Sequence, residues 1–152
     1  MRSVFPVVAP LVAIATISLS GCQKPKEIYA DQAWVRLPAV AGNPGVAYFT
    51  LHGGPTDTQL ISVTSPAVIR SELHESMAGG GGMASMKPIG QVDLPAGSKV
   101  TFAPGGKHVM LFDINPAIKP GGNLTLVFTF ANNLKIEVTA PVVAAGDPQP
   151  GK

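Results

Sequence analysis

Leu124-Thr125-Leu126-Val127-Phe128-Thr129-Phe130, followed after Ala131-Asn132-Asn133 by Leu134-Lys135-Ile136-Glu137-Val138-Thr139, decides the fold class of this chain. Leu124, Leu126, Phe128 and Phe130 recur every second residue, the repeat of an extended backbone whose side chains alternate between two faces. In the second run Leu134, Ile136 and Val138 alternate with Lys135, Glu137 and Thr139, which leaves one apolar and one polar face. The intervening asparagines tolerate a tight reversal, so the two runs read as a β-hairpin.

The same reading extends to both sides of the hairpin. Further strands are expected at 33–37, 46–52, 59–64, 68–75, 83–87, 99–103 and 108–114, punctuated by Gly53-Gly54-Pro55, Pro104-Gly105-Gly106 and Pro120-Gly121-Gly122. Many short strands with no stretch that favours a helix predict an all-β, antiparallel sandwich or barrel of Greek-key type. The 152 residues suffice for one domain. With 15 prolines scattered from Pro6 to Pro150, neither a helix bundle nor a multispan membrane protein is compatible with the chain. Its 11 basic and 9 acidic residues stand singly, with no basic run able to neutralise several phosphates, so nucleic acid is excluded as a partner. The one cysteine, Cys22, excludes an internal disulfide, a CxxC redox pair and a cysteine-based zinc site.

The amino end reads as an address and an anchor. Arg2 precedes an uncharged stretch, 4–20, too short to span a bilayer of about 20 residues' thickness, as a secretory signal would be. It ends in Leu19-Ser20-Gly21-Cys22, which resembles the bacterial lipobox and implies a signal peptide at 1–21, lipidation of Cys22 and a short tether over 22–29. Each buried methylene of an acyl chain contributes about 0.8 kcal/mol, so several chains hold a domain at a membrane surface. Gln23 rather than Asp after the cysteine favours the outer membrane where there is one. The folded domain is expected at 30–143, and 144–152 is expected to be a flexible tail.

Past the signal, the methionines are Met77, Met83, Met86 and Met110, all between His74 and Met110 together with two of the three histidines. Methionines that merely fill a core would be dispersed. In His108-Val109-Met110 the imidazole and the thioether share a strand face, because positions i and i+2 coincide. A thioether suits Cu(I), whereas calcium needs hard oxygens and zinc prefers thiolate, imidazole or carboxylate. A blue-copper electron-transfer centre needs a cysteine with two histidines and is closed off here.

His74, eleven residues, Met86, twenty-one residues, His108, one residue, Met110 is the spacing of the periplasmic copper chaperones called PCuAC, which this chain resembles. Ala33-Trp34-Val35-Arg36, Glu72-Leu73-His74-Glu75, Leu94-Pro95-Ala96-Gly97 and Pro104-Gly105-Gly106-Lys107-His108-Val109-Met110-Leu111 are also similar to that family. The resemblance implies a cupredoxin-like β-sandwich that binds one Cu(I) per chain through His74, Met86, His108 and Met110. It implies delivery of that ion to the CuA-bearing subunit of cytochrome c oxidase, or to a Sco-type assembly factor, from a lipid-anchored position on the periplasmic side of the bacterial envelope.

The chain departs from the family pattern at Glu75, where many members carry methionine, and in the bare Gly79-Gly80-Gly81-Gly82 segment, which reads as a flexible surface loop. Met77 and Met83 flank that segment and are candidate auxiliary ligands. The tail lacks the His and Met cluster with which some members hold a second copper. His52 reads as a strand-end polar residue and Trp34 as core. No paired carboxylate, Ser-His-Asp or Cys-His arrangement is present, so no catalytic residue is assigned and the chain is expected not to be an enzyme. The alternatives to delivery are a copper-sequestering lipoprotein without a recipient and a structural lipoprotein that binds no metal. Since imidazole coordinates only when neutral, copper affinity is expected to weaken below the ordinary histidine value of about pH 6.5.

Overall fold

The computed structural model describes residues 27–78 and 84–151. The expected signal peptide, Cys22, Met83 and the glycine segment lie outside them. The described residues form strands β1 (Tyr29–Arg36), β2 (Gly45–His52), β3 (Thr58–Thr64), β4 (Val68–Ala78), β5 (Ala84–Pro88), β6 (Val92–Leu94), β7 (Lys99–Phe102), β8 (Lys107–Ile114), β9 (Asn123–Phe130) and β10 (Lys135–Val143), and no helix. One hydrogen-bonded sheet runs in the order β5-β4-β8-β7-β2-β1-β10-β9-β3-β6, with β8 also paired to β2.

The deciding hairpin is β9 and β10. Leu124, Leu126, Phe128 and Phe130 are all at most 2% exposed, and each such burial contributes about 1.5–3 kcal/mol. Asn133 adopts φ 63°, and Phe130 N–H donates to the Leu134 carbonyl at 3.0 Å, which closes the reversal. Asparagine is among the few side-chain-bearing residues that enter this backbone region readily.

β1 and β10 run parallel, joined through Val35 opposite Val142 and Arg36 opposite Val143. On either side of this seam the two halves of the sheet lie face to face. Phe49 of β2 stacks on Phe102 of β7 at 4.2 Å and meets Phe128 of β9 edge-on at 4.7 Å, so both halves fill one core. The expected all-β sandwich is observed; its ladders are antiparallel except at β1–β10 and the single pair linking β7 and β8. Gly53, after β2, has no room for a side chain: a Cβ there would lie 2.2 Å from the Pro95 carbonyl oxygen.

Several strand boundaries differ from the sequence reading; β1, for one, begins at Tyr29 rather than at residue 33. β4 continues beyond Glu75 to Ala78, because β5 supplies a ladder out to Ala78 opposite Ala84. β6 is a three-residue strand held by pairing to β3 and was not expected. In residues 144–151 the Asp147 carboxylate accepts from Ala144 N–H at 3.0 Å, and the Asp147 backbone carbonyl accepts from the Arg36 guanidinium at 3.2 Å. That guanidinium also lies 4.8 Å from the centre of the Trp34 ring, and Trp34 is buried as expected.

Candidate metal centre

β4 is flanked by β5 on one side and β8 on the other, and β5 is an edge of the sheet. Residues paired across an antiparallel ladder point to the same face. Leu73 opposite Val109 belongs to the core face, so the neighbouring pairs, His74 opposite His108 and Glu72 opposite Met110, belong to the outer face. Met86 stands opposite Ser76, two residues from His74 on the same face of β4. His74, Met86, His108 and Met110 therefore form a diagonal band over three strands. Diagonal neighbours across a ladder lie about 7–8 Å apart, within reach of long side chains.

The two imidazoles have ring centres 5.9 Å apart, tilted by 45°. His108 is 4% exposed, whereas Met86, on the edge strand, is 61% exposed. One nitrogen of each ring is hydrogen bonded. His74 Nε2 lies 3.0 Å from Glu72 Oε2, and an ionised carboxylate can only accept, so Nε2 carries the proton and donates. His108 Nδ1 lies 2.9 Å from the Gly106 carbonyl, which likewise can only accept. The same carbonyl also accepts from Ser76 N–H at 3.1 Å, tying the turn before β8 to β4.

The remaining nitrogens, His74 Nδ1 and His108 Nε2, are buried and have no hydrogen-bond partner. In the neutral imidazole, with the hydrogen-bonded nitrogen carrying the proton, each of these has a free lone pair. A buried, unpaired polar atom costs about 1–3 kcal/mol. Two such atoms on one sheet face, beside two thioethers, form a donor set of soft and borderline ligands, which fits Cu(I).

The charged residues of β4 around the band are paired. Glu72 also bonds Arg70, and its carboxyl is held below the ordinary range, first by the hydrogen bond from His74 and then by Arg70. Arg70 in turn stacks over the Phe112 ring at 3.9 Å. Glu75, on the other face, bonds Lys107 at 2.6 Å, and that bond lowers its carboxyl too.

Met77, an expected auxiliary ligand, is opposite Ser85 and shares the face of Leu73 and Glu75. The extension of β4 thus points it away from His74, and the structure does not bring it to the band. Met83 lies outside the described residues. His52 ends β2 at a distance from the band, stacked on Tyr29 at 4.2 Å with Nε2 3.1 Å from Asp31, in keeping with a strand-end polar residue. Sequence reasoning assigned no role to Glu72 or to the Gly106 carbonyl. The two-residue spacing of Glu72 and His74 was the available signal for the first, and a backbone acceptor leaves none.

Residues 28–142 match the model of the LpqE-like lipoprotein family. A chain of Leifsonia xyli subsp. xyli described as a lipoprotein, Lxx21020, is 26% identical over 148 residues, covering 88% of this chain and 87% of its own length. The copper-bound PCuAC domain of PmoF2 superimposes with a TM-score of 0.64 at 24% identity, covering 80% of this chain and 97% of that domain. DR1885 of Deinococcus radiodurans, in its Cu(I) form, superimposes with a TM-score of 0.60 at 24% identity, covering 82% of this chain and 83% of its own. The fold is thus that of PCuAC domains.

Proposed function

Because this chain belongs to the LpqE-like lipoprotein family, we propose that it is an envelope-anchored carrier that holds one Cu(I) ion between His74, Met86, His108 and Met110 and passes it on. The observation that carries this reading is the pair of buried imidazole nitrogens, His74 Nδ1 and His108 Nε2, each with a free lone pair on the face that also bears both methionines. The similar PCuAC domain of PmoF2 and DR1885 both have structures with copper bound, which supports it. The lipid on Cys22 would hold the carrier at the periplasmic side of the envelope, on the outer membrane where there is one.

Transfer follows from the unequal exposure of the ligands. Met86 sits on the edge strand and leads outward, while His108 is enclosed on an interior strand. Met86 is then the ligand that leaves first, and an incoming thiolate or imidazole of a recipient takes its place before the histidines let go. Thiolates bind Cu(I) more tightly than thioethers, so the ion moves downhill towards a thiolate-rich recipient such as the CuA-bearing subunit of cytochrome c oxidase or a Sco-type factor. The protein's part is binding and orientation, with no bond made or broken beyond ligand exchange.

An anaerobic Cu(I) titration of the chain from Gln23 onward, against a chromophoric competing chelator, tests the site. One tight equivalent is expected, weakened in Met86→Ala by more than the roughly 10–100-fold that loss of a ligand's supporting partner costs. A wild-type chain that takes no copper from the chelator would remove the carrier reading and leave a structural lipoprotein. Delivery is separated from sequestration by deleting the gene: loss of CuA loading at low copper marks delivery, and copper sensitivity with an intact oxidase marks sequestration.

A further inference from the structure

Arg70, Glu72 and His74 occupy alternate positions on one face of β4, and each touches the next. Glu72 is held by Arg70, which is itself seated over Phe112, so the carboxylate reaches His74 from an anchored position. We propose that Glu72 is a positioning residue: by accepting the Nε2 proton of His74, it fixes the tautomer that presents Nδ1 to the metal, so that the two histidines bind one ion through unlike nitrogens, Nδ1 of His74 and Nε2 of His108. This rests on the copper site proposed above and specifies how that site is preset.

A free neutral imidazole carries its proton on either nitrogen, and a ring with the wrong nitrogen protonated has to lose or move that proton before it can bind. Here both rings are committed beforehand by acceptors of different kinds. For His108 the acceptor is a backbone carbonyl, which no substitution removes. For His74 it is a side chain, which a substitution can remove. The other nitrogen of each ring is buried and without a partner, so the acceptors leave each ring one open coordination position. A carboxylate behind a ligating imidazole also raises its donor strength.

The test reads the proton position directly. Long-range 1H–15N correlation spectra of the 15N-labelled full chain, apo and at about pH 8 so that imidazoles are neutral, report which ring nitrogen is protonated. His74 is expected in the Nε2–H form and His108 in the Nδ1–H form. Because Cu(I) is diamagnetic, the loaded protein can be read in the same way, with the metal-induced shift on His74 Nδ1. In Glu72→Ala the His74 ring is expected to become a mixture of tautomers, with Cu(I) affinity reduced about 10–100-fold. Glu72→Gln, which keeps an acceptor oxygen, is expected to retain the Nε2–H form and most of the affinity. A purely structural role for Glu72 would move the melting temperature and leave the tautomer alone. The proposal is overturned if wild-type His74 is the Nδ1–H form, if Glu72→Ala keeps a pure Nε2–H ring, or if copper shifts Nε2 of His74. If the wild-type chain binds no Cu(I), the copper reading falls by itself, and the apo spectra still decide whether Glu72 sets the tautomer.

Discussion

Replacing His108 with leucine should abolish copper binding and yet leave the apo protein as stable as before, or more so. His108 is 4% exposed, and its Nε2 is buried with no partner. Removing an unsatisfied buried nitrogen recovers about 1–3 kcal/mol. The substitution also gives up the 2.9 Å hydrogen bond from Nδ1 to the Gly106 carbonyl, worth about 0.5–1.5 kcal/mol. That carbonyl keeps its other donor, Ser76 N–H, so it is not orphaned. Leucine is close to histidine in volume, and position 108 is a buried place within β8, next along the strand to the buried Val109. The net change is therefore between about −0.5 and +2.5 kcal/mol in favour of folding. Urea denaturation of the metal-free protein, extrapolated linearly, measures it, with the chelator competition run in parallel. Leu111→Ala, at a fully buried position, supplies the control and should cost about 2–5 kcal/mol. A loss of more than about 1 kcal/mol in His108→Leu would mean that Nε2 contributes to folding without metal, which contradicts the idea that this nitrogen is kept free for a ligand.

Two further outcomes bear on the scaffold. Gly53→Ala places a Cβ 2.2 Å from the Pro95 oxygen, a backbone atom that cannot rotate away, and should destabilise by about 1–3 kcal/mol, read as a lower urea midpoint. Glu75 has a folded-state carboxyl below its ordinary value of 4.5, chiefly through the Lys107 hydrogen bond, so its contribution is present above that value and is lost as pH falls through the lowered one. Glu75→Gln should accordingly flatten the acid limb of a stability profile below pH 4.5 without changing copper uptake at neutral pH; an unchanged acid limb would show that the pair does not hold in solution.

The alternation in 124–130 and 134–139 placed β9 and most of β10, because a period of two has one physical origin and every second residue from Leu124 to Phe130, like Ile136 and Val138, is buried or partly buried; Leu134 falls in the turn instead and is exposed. β6 escaped that reading since three residues hold too little pattern, and its existence depends on β3 being alongside. The end of β4 escaped for the same reason: the ladder to β5 decides how far it runs. With that ladder went the fate of Met77, which sequence proximity made a ligand candidate and strand parity turned to the other face.

The sequence by itself determined the strand class, the spacing of two histidines and two methionines, and the chemical preference that such a donor set implies. These are properties of composition and of the two-residue repeat, and they survive any arrangement of the strands. The tertiary structure alone decided that His74 faces His108, that Met86 stands at an edge while His108 is enclosed, and which nitrogen of each ring is left open. Register brings together residues 34 positions apart in the chain, and the acceptors that orient the rings are a neighbouring side chain in one case and a turn carbonyl in the other. Residue spacing fixes which donors exist, but only pairing between strands fixes where their lone pairs point.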